Sequence, residues 1–268
     1  MSEETTTTTT TTTTQTTSAP QTSGYGYAHQ LEYVSDFMKA KYERENGKNW
    51  EKFYKTKRGY LASTKNRDYL QMDLEEDLSG AHRVLEIGCG GGHSIVPLAQ
   101  KYPDLEFVAI DVAPRAVTLV KENADIPQDR CAAYVCDIQK EDVPIEAGTI
   151  DCAMIIFVLS SIAPEWHADV FRHIKRVMAP GGVVMFRDYA EGDANQLDFD
   201  KQYPPRKISK NFYVRPDGTR AYFFRPEEIH AAAAAAGLVV EELTPIVIEK
   251  RGNNRMFIKA KLRNPEDA

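Results

Sequence analysis

The sequence predicts an α/β fold: a doubly wound, mainly parallel, seven-stranded sheet with helices on both faces and a helical extension at its N-terminus. Three observations carry this. Residues 83–92 (Arg-Val-Leu-Glu-Ile-Gly-Cys-Gly-Gly-Gly) read as a strand that breaks into a glycine turn and then starts a helix. From there to the C-terminus, short apolar runs alternate with helical stretches, the pattern of βα units. Two of the early runs end on a carboxylate, Asp111 and Asp137, where ligands of such sheets bind.

Each element follows in order. Residues 1–24 are a threonine-rich tail with almost no apolar content, expected to be disordered. Residues 25–75 are the extension, helical, basic and aromatic from about Leu31 to Tyr60. Trp50 and Tyr54 lie four apart and share one helical face, which packs on the domain or forms a lid over a ligand. Residues 76–268 are the α/β domain. Val84–Ile87 is its first strand, and Ser94–Lys101 lies in the helix after the glycines. Glu106–Ile110 is the second strand, and Pro114 opens a helix to about Asn123. Ala132–Cys136 is the third strand. Asp151–Val158, the fourth, is an apolar run fit for the middle of a parallel sheet. A helix around Trp166–Met178 stops at Ala179-Pro180-Gly181-Gly182, before the fifth strand, Val183–Phe186. Pro226 opens a helix through Ala231–Ala236, and Gly237 closes it. Leu238–Leu243 and Met256–Leu262 finish the sheet.

With 268 residues and 42% hydrophobic content the chain can bury one large core. No apolar run approaches the ~20 residues that span a bilayer. The N-terminus lacks the basic and apolar regions of a secretory signal, and Glu3 and Glu4 argue against a mitochondrial presequence. Four cysteines without a CxxC pair fit reduced thiols in the cytoplasm or nucleus, and no metal-ligand set is read. The net charge of −6 argues against a nucleic-acid partner, but its distribution argues for one. Ten basic residues face four acidic ones between Asp36 and Arg67, seven face one from Lys201 to Arg225, and six face one from Glu249 to Arg263. These segments form one basic patch or are ordinary solvated surface.

Glu86 bears on the ligand of the glycine turn. A carboxylate at its mouth repels a pyrophosphate and suits a cation. S-adenosylmethionine (SAM) carries a sulfonium and an α-ammonium, so a SAM-dependent methyltransferase is expected, with Glu86, Gly88 and Gly90 at the cofactor. Asp111 follows Gly88 by 23 residues, a spacing that suits a carboxylate on both ribose hydroxyls. Asp137 is placed to accept from the adenine amino group, with Ile138 covering the ring and Ile156 and Phe157 opposite. A dinucleotide dehydrogenase competes for the same turn, but it usually lacks the acid, and no second nucleotide-binding half is present. A catalytically inactive methyltransferase-like subunit would share the fold.

The acceptor is less legible. No Asn/Asp-Pro-Pro-Tyr follows the fourth strand; the residues there are Phe157-Val158-Leu159-Ser160-Ser161. The fifth strand delivers Phe186-Arg187-Asp188-Tyr189 to the rim. Tyr189 stacks a base or packs on the sheet edge, and Arg187 and Asp188 pair together or contact substrate.

At this point the chain resembles the methyltransferase-like enzymes that make N3-methylcytidine in tRNA. The matching pieces are Asn49-Trp50-Glu51-Lys52-Phe53-Tyr54-Lys55, Leu85-Glu86-Ile87-Gly88-Cys89-Gly90 and Pro114-Arg115-Ala116, then Ile156-Phe157-Val158-Leu159-Ser160 and Phe186-Arg187-Asp188-Tyr189. The most distinctive is Asn211-Phe212-Tyr213-Val214-Arg215 leading to Asp217-Gly218-Thr219-Arg220 and Tyr222-Phe223-Phe224. The similarity runs from about Ser35 to Lys261. It implies class I SAM-dependent methylation of an anticodon-loop cytidine, at position 32 of specific tRNAs. It further implies SAM contacts at Trp50, Tyr54, Gly88, Asp111, Asp137, Ile138 and Ile156. On the substrate side it points to Arg67, Asn211, Tyr213, Arg215 and Arg220. Seryl-tRNA synthetase or another presenting protein is an implied partner, and the enzyme itself is expected as a monomer. Where the family has Phe-Lys-Asp-Arg-His-Trp, this chain has Thr64-Lys65-Asn66-Arg67-Asp68-Tyr69, a departure that bears on tRNA choice.

The N3 atom of cytosine carries an in-plane lone pair and no proton, so the reaction needs alignment and a dry site rather than a general base. The product base is cationic. Asp188 is therefore expected to favour the developing charge, with Arg187 orienting the base or a phosphate and Tyr189 stacking. Two other classes share much of this pattern: a methyltransferase of a protein or small molecule, and a non-catalytic adaptor.

Overall fold

A computed structural model describes residues 32–56, 76–250 and 252–266, excluding the side chain of Lys250. The predicted tail (1–24) and the 64–69 segment with Arg67 lie outside the described residues. In chain order the elements are α1 Asp36–Arg44, α2 Asn46–Lys55, β1 Arg83–Ile87, α3 Ile95–Lys101, β2 Glu106–Asp111 and α4 Pro114–Glu122. Then come β3 Cys131–Val135, β4 Ile150–Ile156, α5 His167–Val177, β5 Met178–Tyr189, α6 Ala194–Asp200, β6 Lys207–Ser209, β7 Phe212–Val214 and β8 Arg220–Tyr222. The chain ends with α7 Pro226–Ala235, β9 Val239–Lys250 and β10 Asn253–Arg263.

Seven strands form one sheet in the order β3-β2-β1-β4-β5-β10-β9, parallel from β3 to β5 and antiparallel at both β10 pairings. Period-two alternation divides the core. Leu85, Ile87, Val108 and Ile110 face α5 and α7, whereas Val84, Phe107 and Ala109 face α3 and α4. The strand order reverses between β1 and β4, and a crevice opens there at their carboxyl ends.

Three local differences from the sequence reading matter for the site. The fourth strand stops at Ile156 rather than Val158, because Phe157 adopts φ +59 and turns the chain into a short 3-10 helix, Leu159–Ser161. The N-terminal segment is two helices broken at Glu45, and neither buries a residue completely. The 211–224 block, read as substrate-facing, supplies β7 and β8 of the three-stranded antiparallel sheet β6-β7-β8. Its aromatic rings turn inward: Phe212, Tyr213, Phe223 and Phe224 are each 2% exposed or less. The turn residues Pro216-Asp217-Gly218 close a hairpin, with Gly218 at φ +83 and the Asp217 carboxylate accepting from the Thr219 amide at 3.1 Å.

Candidate functional site

The crevice is a cavity of about 280 Å³ at the ends of β1 to β4. Its floor is backbone. Gly88 and Gly90 have φ +65 and +54, and a Cβ at Gly88 would lie 2.3 Å from Val158 Cγ2. Asp111 organises this turn: its Oδ2 accepts from the Gly90 amide at 3.0 Å and its Oδ1 from the Ala113 amide at 2.9 Å. Burial pushes the Asp111 carboxyl up to about 6 against those amides, and it still borders the cavity. After β3, Asp137 receives Lys140 at 2.9 Å, while Ile138 and Ile156 supply apolar walls.

The roof comes from α2. Trp50 and Tyr54 stack with centroids 6.1 Å apart, and Phe53 packs edge-on against both. The Tyr54 hydroxyl would lie 3.0 Å from a Cβ at Gly90, so only glycine there lets the roof come down on the turn. Polar ties hold this roof. Asn49 Nδ2 donates to the Gly218 carbonyl at 2.9 Å, and the Arg115 amide donates to Glu51 at 2.8 Å. Burial opposes the charge on Glu43, but Arg220 and the Gln139 amide outweigh it and hold the carboxyl below its ordinary value.

Beyond β4 and β5 the cavity turns aromatic and cationic. Phe157 lies 5.1 Å from the Tyr189 ring, and the Arg215 guanidinium sits over Tyr189 at 5.5 Å. Phe157 is an αL residue with a bulky side chain, backbone strain of the kind that gathers at ligand sites.

Residues 34–243 match the family model described as a methyltransferase domain. Among solved structures, a SAM-dependent methyltransferase from Methanosarcina mazei superimposes with a TM-score of 0.59 at 16% identity, over 73% of this chain and 98% of that one. That likeness shows the fold. Curated relatives carry more. The human tRNA N(3)-cytidine methyltransferase METTL6 is 39% identical over 71% of this chain and 68% of its own length. The mouse METTL6 is 36% identical over 87% and 86%, and trm141 of Schizosaccharomyces pombe is 33% identical over 82% and 92%. The chain belongs to the tRNA N(3)-cytidine methyltransferase family.

The cofactor of this methyltransferase is SAM, and the cavity suits it. Asp111 at the end of β2 matches a ribose diol, the Ile138 and Ile156 walls match a planar ring, and the bare turn at Gly88–Gly90 admits a close approach. Of the predicted cofactor residues, Trp50, Tyr54, Gly88, Gly90, Asp111, Asp137, Ile138 and Ile156 all line it. Glu86 does not. It is 3% exposed within β1, near enough to Cys89 and Cys131 to help raise both thiols, and its side chain does not reach the cavity.

The acceptor-side expectations fare differently. Tyr189 and Arg215 border the cavity of this methyltransferase. Asp188 is completely buried behind it, with Oδ2 accepting from the Ser160 amide and Oδ1 from the Tyr189 amide, both at 2.9 Å. The expected contact between Asp188 and substrate is thus corrected: the carboxylate holds the 159–161 turn, and burial pushes it up to about 6. Arg187 lies over Phe257 at 5.7 Å and does not line the cavity. Three predicted substrate contacts are also corrected. Asn211 bridges Gln196 and Glu191, the Tyr213 hydroxyl donates to Asp200 at 2.9 Å, and Arg220 is 1% exposed and paired with Glu43. Each faces inward because the small sheet buries its aromatic side and takes its polar neighbours along.

The basic segments are extensively paired. Lys39, Arg44, Lys55, Lys207, Arg220, Arg225, Arg255, Lys261 and Arg263 all form ion pairs within the chain. Sequence reasoning missed Phe53, Ser161 and Ile162 as lining residues, along with the anchors Glu43 and Gln139. Phe53 and Ser161 stood inside segments already singled out; Glu43 and Gln139 carried no local signal.

Proposed function

We propose that this protein is a SAM-dependent tRNA methyltransferase that places a methyl group on N3 of an anticodon-loop cytidine. The observation that carries the reading is the Phe157–Tyr189–Arg215 cluster, an aromatic and cationic patch, the proposed base slot, that lines the same cavity as the proposed SAM residues. When bound, SAM supplies an electrophilic methyl group on a sulfonium, which the N3 lone pair of cytosine can accept without prior deprotonation. The residues of the chain therefore work by positioning. Tyr189 and Phe157 stack the base, Arg215 contacts its edge or an adjoining phosphate, and the α2 roof excludes water. Asp188 supports the turn beside the slot and leaves a negative charge behind it, which favours a cationic product. The N3 atom is paired in a duplex, so the target is unpaired or flipped out, as an anticodon-loop base at position 32 is.

The family names, with this slot, favour RNA over a protein or small-molecule acceptor. The internal pairing of so many basic residues, with the net charge of −6, supports presentation of the tRNA by a second protein, with seryl-tRNA synthetase as the first candidate. Residues 25–75 act as the lid and part of the tRNA site. The reading takes the enzyme as a monomer working in the cytoplasm or nucleus, compartments in which its four free cysteines would stay reduced.

The test is labelled SAM with total tRNA, with and without the synthetase, followed by nucleoside mass spectrometry. N3-methylcytidine that disappears on Asp111→Ala is expected. Methyl transfer to protein alone, or no SAM binding at all, overturns the reading.

A further inference from the structure

Glu43 stands outside the cavity, on α1, yet it touches both of its walls. Its Oε1 accepts from Gln139 Nε2 at 2.6 Å, and its Oε2 pairs with the Arg220 guanidinium. Gln139 is 3% exposed and follows Ile138 directly, so it belongs to the loop after β3 that forms the adenine-side wall. Arg220 is 1% exposed; its Nε donates to the Ser161 carbonyl at 3.1 Å, and its plane lies over Phe212 at 5.2 Å. Ser161 lines the acceptor end of the cavity, and the amide of its neighbour Ser160 is held by Asp188. One carboxylate thus joins the loop after β3 to the turn after β4, elements that belong to different strands and meet across the ligand space. Arg220 Nη2 has no hydrogen-bond partner among the described residues, which leaves Glu43 as the group that neutralises a buried cation.

We propose that Glu43 is a positioning residue that sets the adenine-side and acceptor-side walls of the SAM cavity relative to each other, through Gln139 and Arg220 respectively. This rests on the cavity being the SAM site and goes beyond it, because neither Glu43 nor its two polar partners, Gln139 and Arg220, lines the cavity. A tie that merely fastened α1 to the domain would touch any convenient surface. Glu43 instead ends on two groups, each bonded or adjacent to a lining residue. Removing its charge leaves Arg220 buried without a counter-ion and frees the two walls to move independently, so SAM affinity falls even where the fold persists.

Calorimetric titration of the full chain with SAM tests this on wild type, Glu43→Gln, Gln139→Met and, as a nearby control at the break between α1 and α2, Glu45→Gln. Thermal unfolding of each SAM-free protein is measured alongside. Glu43→Gln and Gln139→Met are each expected to weaken SAM about tenfold, ~1.4 kcal/mol, and Glu45→Gln to leave it unchanged. At saturating SAM, Glu43→Gln lowers kcat more than Gln139→Met does, since only the first releases the acceptor-side turn. A merely structural role lowers the unfolding temperature and leaves the SAM dissociation constant alone. A folded Glu43→Gln within twofold of wild type for SAM overturns the proposal, as does an unaffected Gln139→Met. If Glu43→Gln does not fold, Gln139→Met decides alone, because it leaves the ion pair intact. Wild type failing to bind SAM breaks the cofactor reading instead, a separate outcome.

Discussion

The floor and the roof of the cavity proposed to hold SAM are built by opposite physics. The floor is the end of a parallel sheet whose residues are almost wholly buried, with the glycine turn fastened by amides on Asp111. The roof is two short helices without one fully buried residue, held by side-chain ties to Gly218, Arg115, Gln139 and Arg220. Its apolar face, Trp50, Phe53 and Tyr54, looks into the cavity rather than into a core. A floor of this kind exists before ligand arrives. A roof of this kind gains its missing packing surface from the ligand, so binding and roof docking should be linked.

Changes that test this contrast rank by size. Gly88→Val is the largest: it adds a branched side chain at φ +65, where even a Cβ would sit 2.3 Å from Val158. SAM binding should be lost, and calorimetry with an intact circular-dichroism spectrum checks it; retained affinity would show that the floor is not rigid. Asp111→Asn comes next. One amide replaces a carboxylate that accepts two backbone bonds, and SAM affinity should fall by about 100-fold, in line with ~2–3 kcal/mol for hydrogen bonds to a charged group. On the roof, Trp50→Ala should weaken SAM about tenfold, from lost aromatic contact of order 1.5 kcal/mol, while the unfolding temperature of the SAM-free protein barely moves. A large drop in that temperature would mean the roof is core after all.

Asp188→Asn separates the two ends of the cavity. Asn can accept only one of the two backbone bonds and turns a donor toward the other, loosening the turn beside the base slot. Turnover should fall much more than SAM affinity; equal losses would return Asp188 to a general structural role. The mildest intervention is a change of pH. Asp111 sits at about 6, above its ordinary value, and in the proposed function its ionised form accepts from ribose hydroxyls. SAM affinity should be flat above neutrality and fall as pH drops through 6, by up to about tenfold per unit. The SAM-free protein should show the reverse in stability, gaining as pH falls from 6 toward 4, because the folded state binds that proton more tightly than the unfolded chain. An unchanged dissociation constant at low pH would remove Asp111 from the ribose.

Much of the floor was legible in the chain because its signals are local. A glycine turn, a carboxylate at the end of the second and the third predicted strand, and apolar runs of strand length state their own geometry, whereas the strand order came from the structure. Glu86 shows the limit even there: the residue type suggested the cation-binding turn, but its side chain is buried within β1 and does not reach the cavity. On the acceptor side, the residue that ends a strand, Tyr189, does reach the cavity. That side was misread where a pattern of aromatic and basic residues looked like an RNA surface. Phe212, Tyr213 and Arg220 satisfy that pattern while serving as the core and the buried cation of a small sheet.

What the sequence determined by itself is therefore the α/β framework, the family and the cofactor, since these rest on spacing and short motifs that survive without knowledge of long-range contacts. What only the tertiary structure decided is which polar groups face the cavity and which brace it. Asp188, Arg220 and Glu43 are alike in composition to any surface charge. Their roles arise because chain segments separated by as much as 177 positions, as Glu43 and Arg220 are, come within hydrogen-bond reach. In a buried setting each charge must then find its partner inside the protein, a demand that no local stretch of sequence expresses.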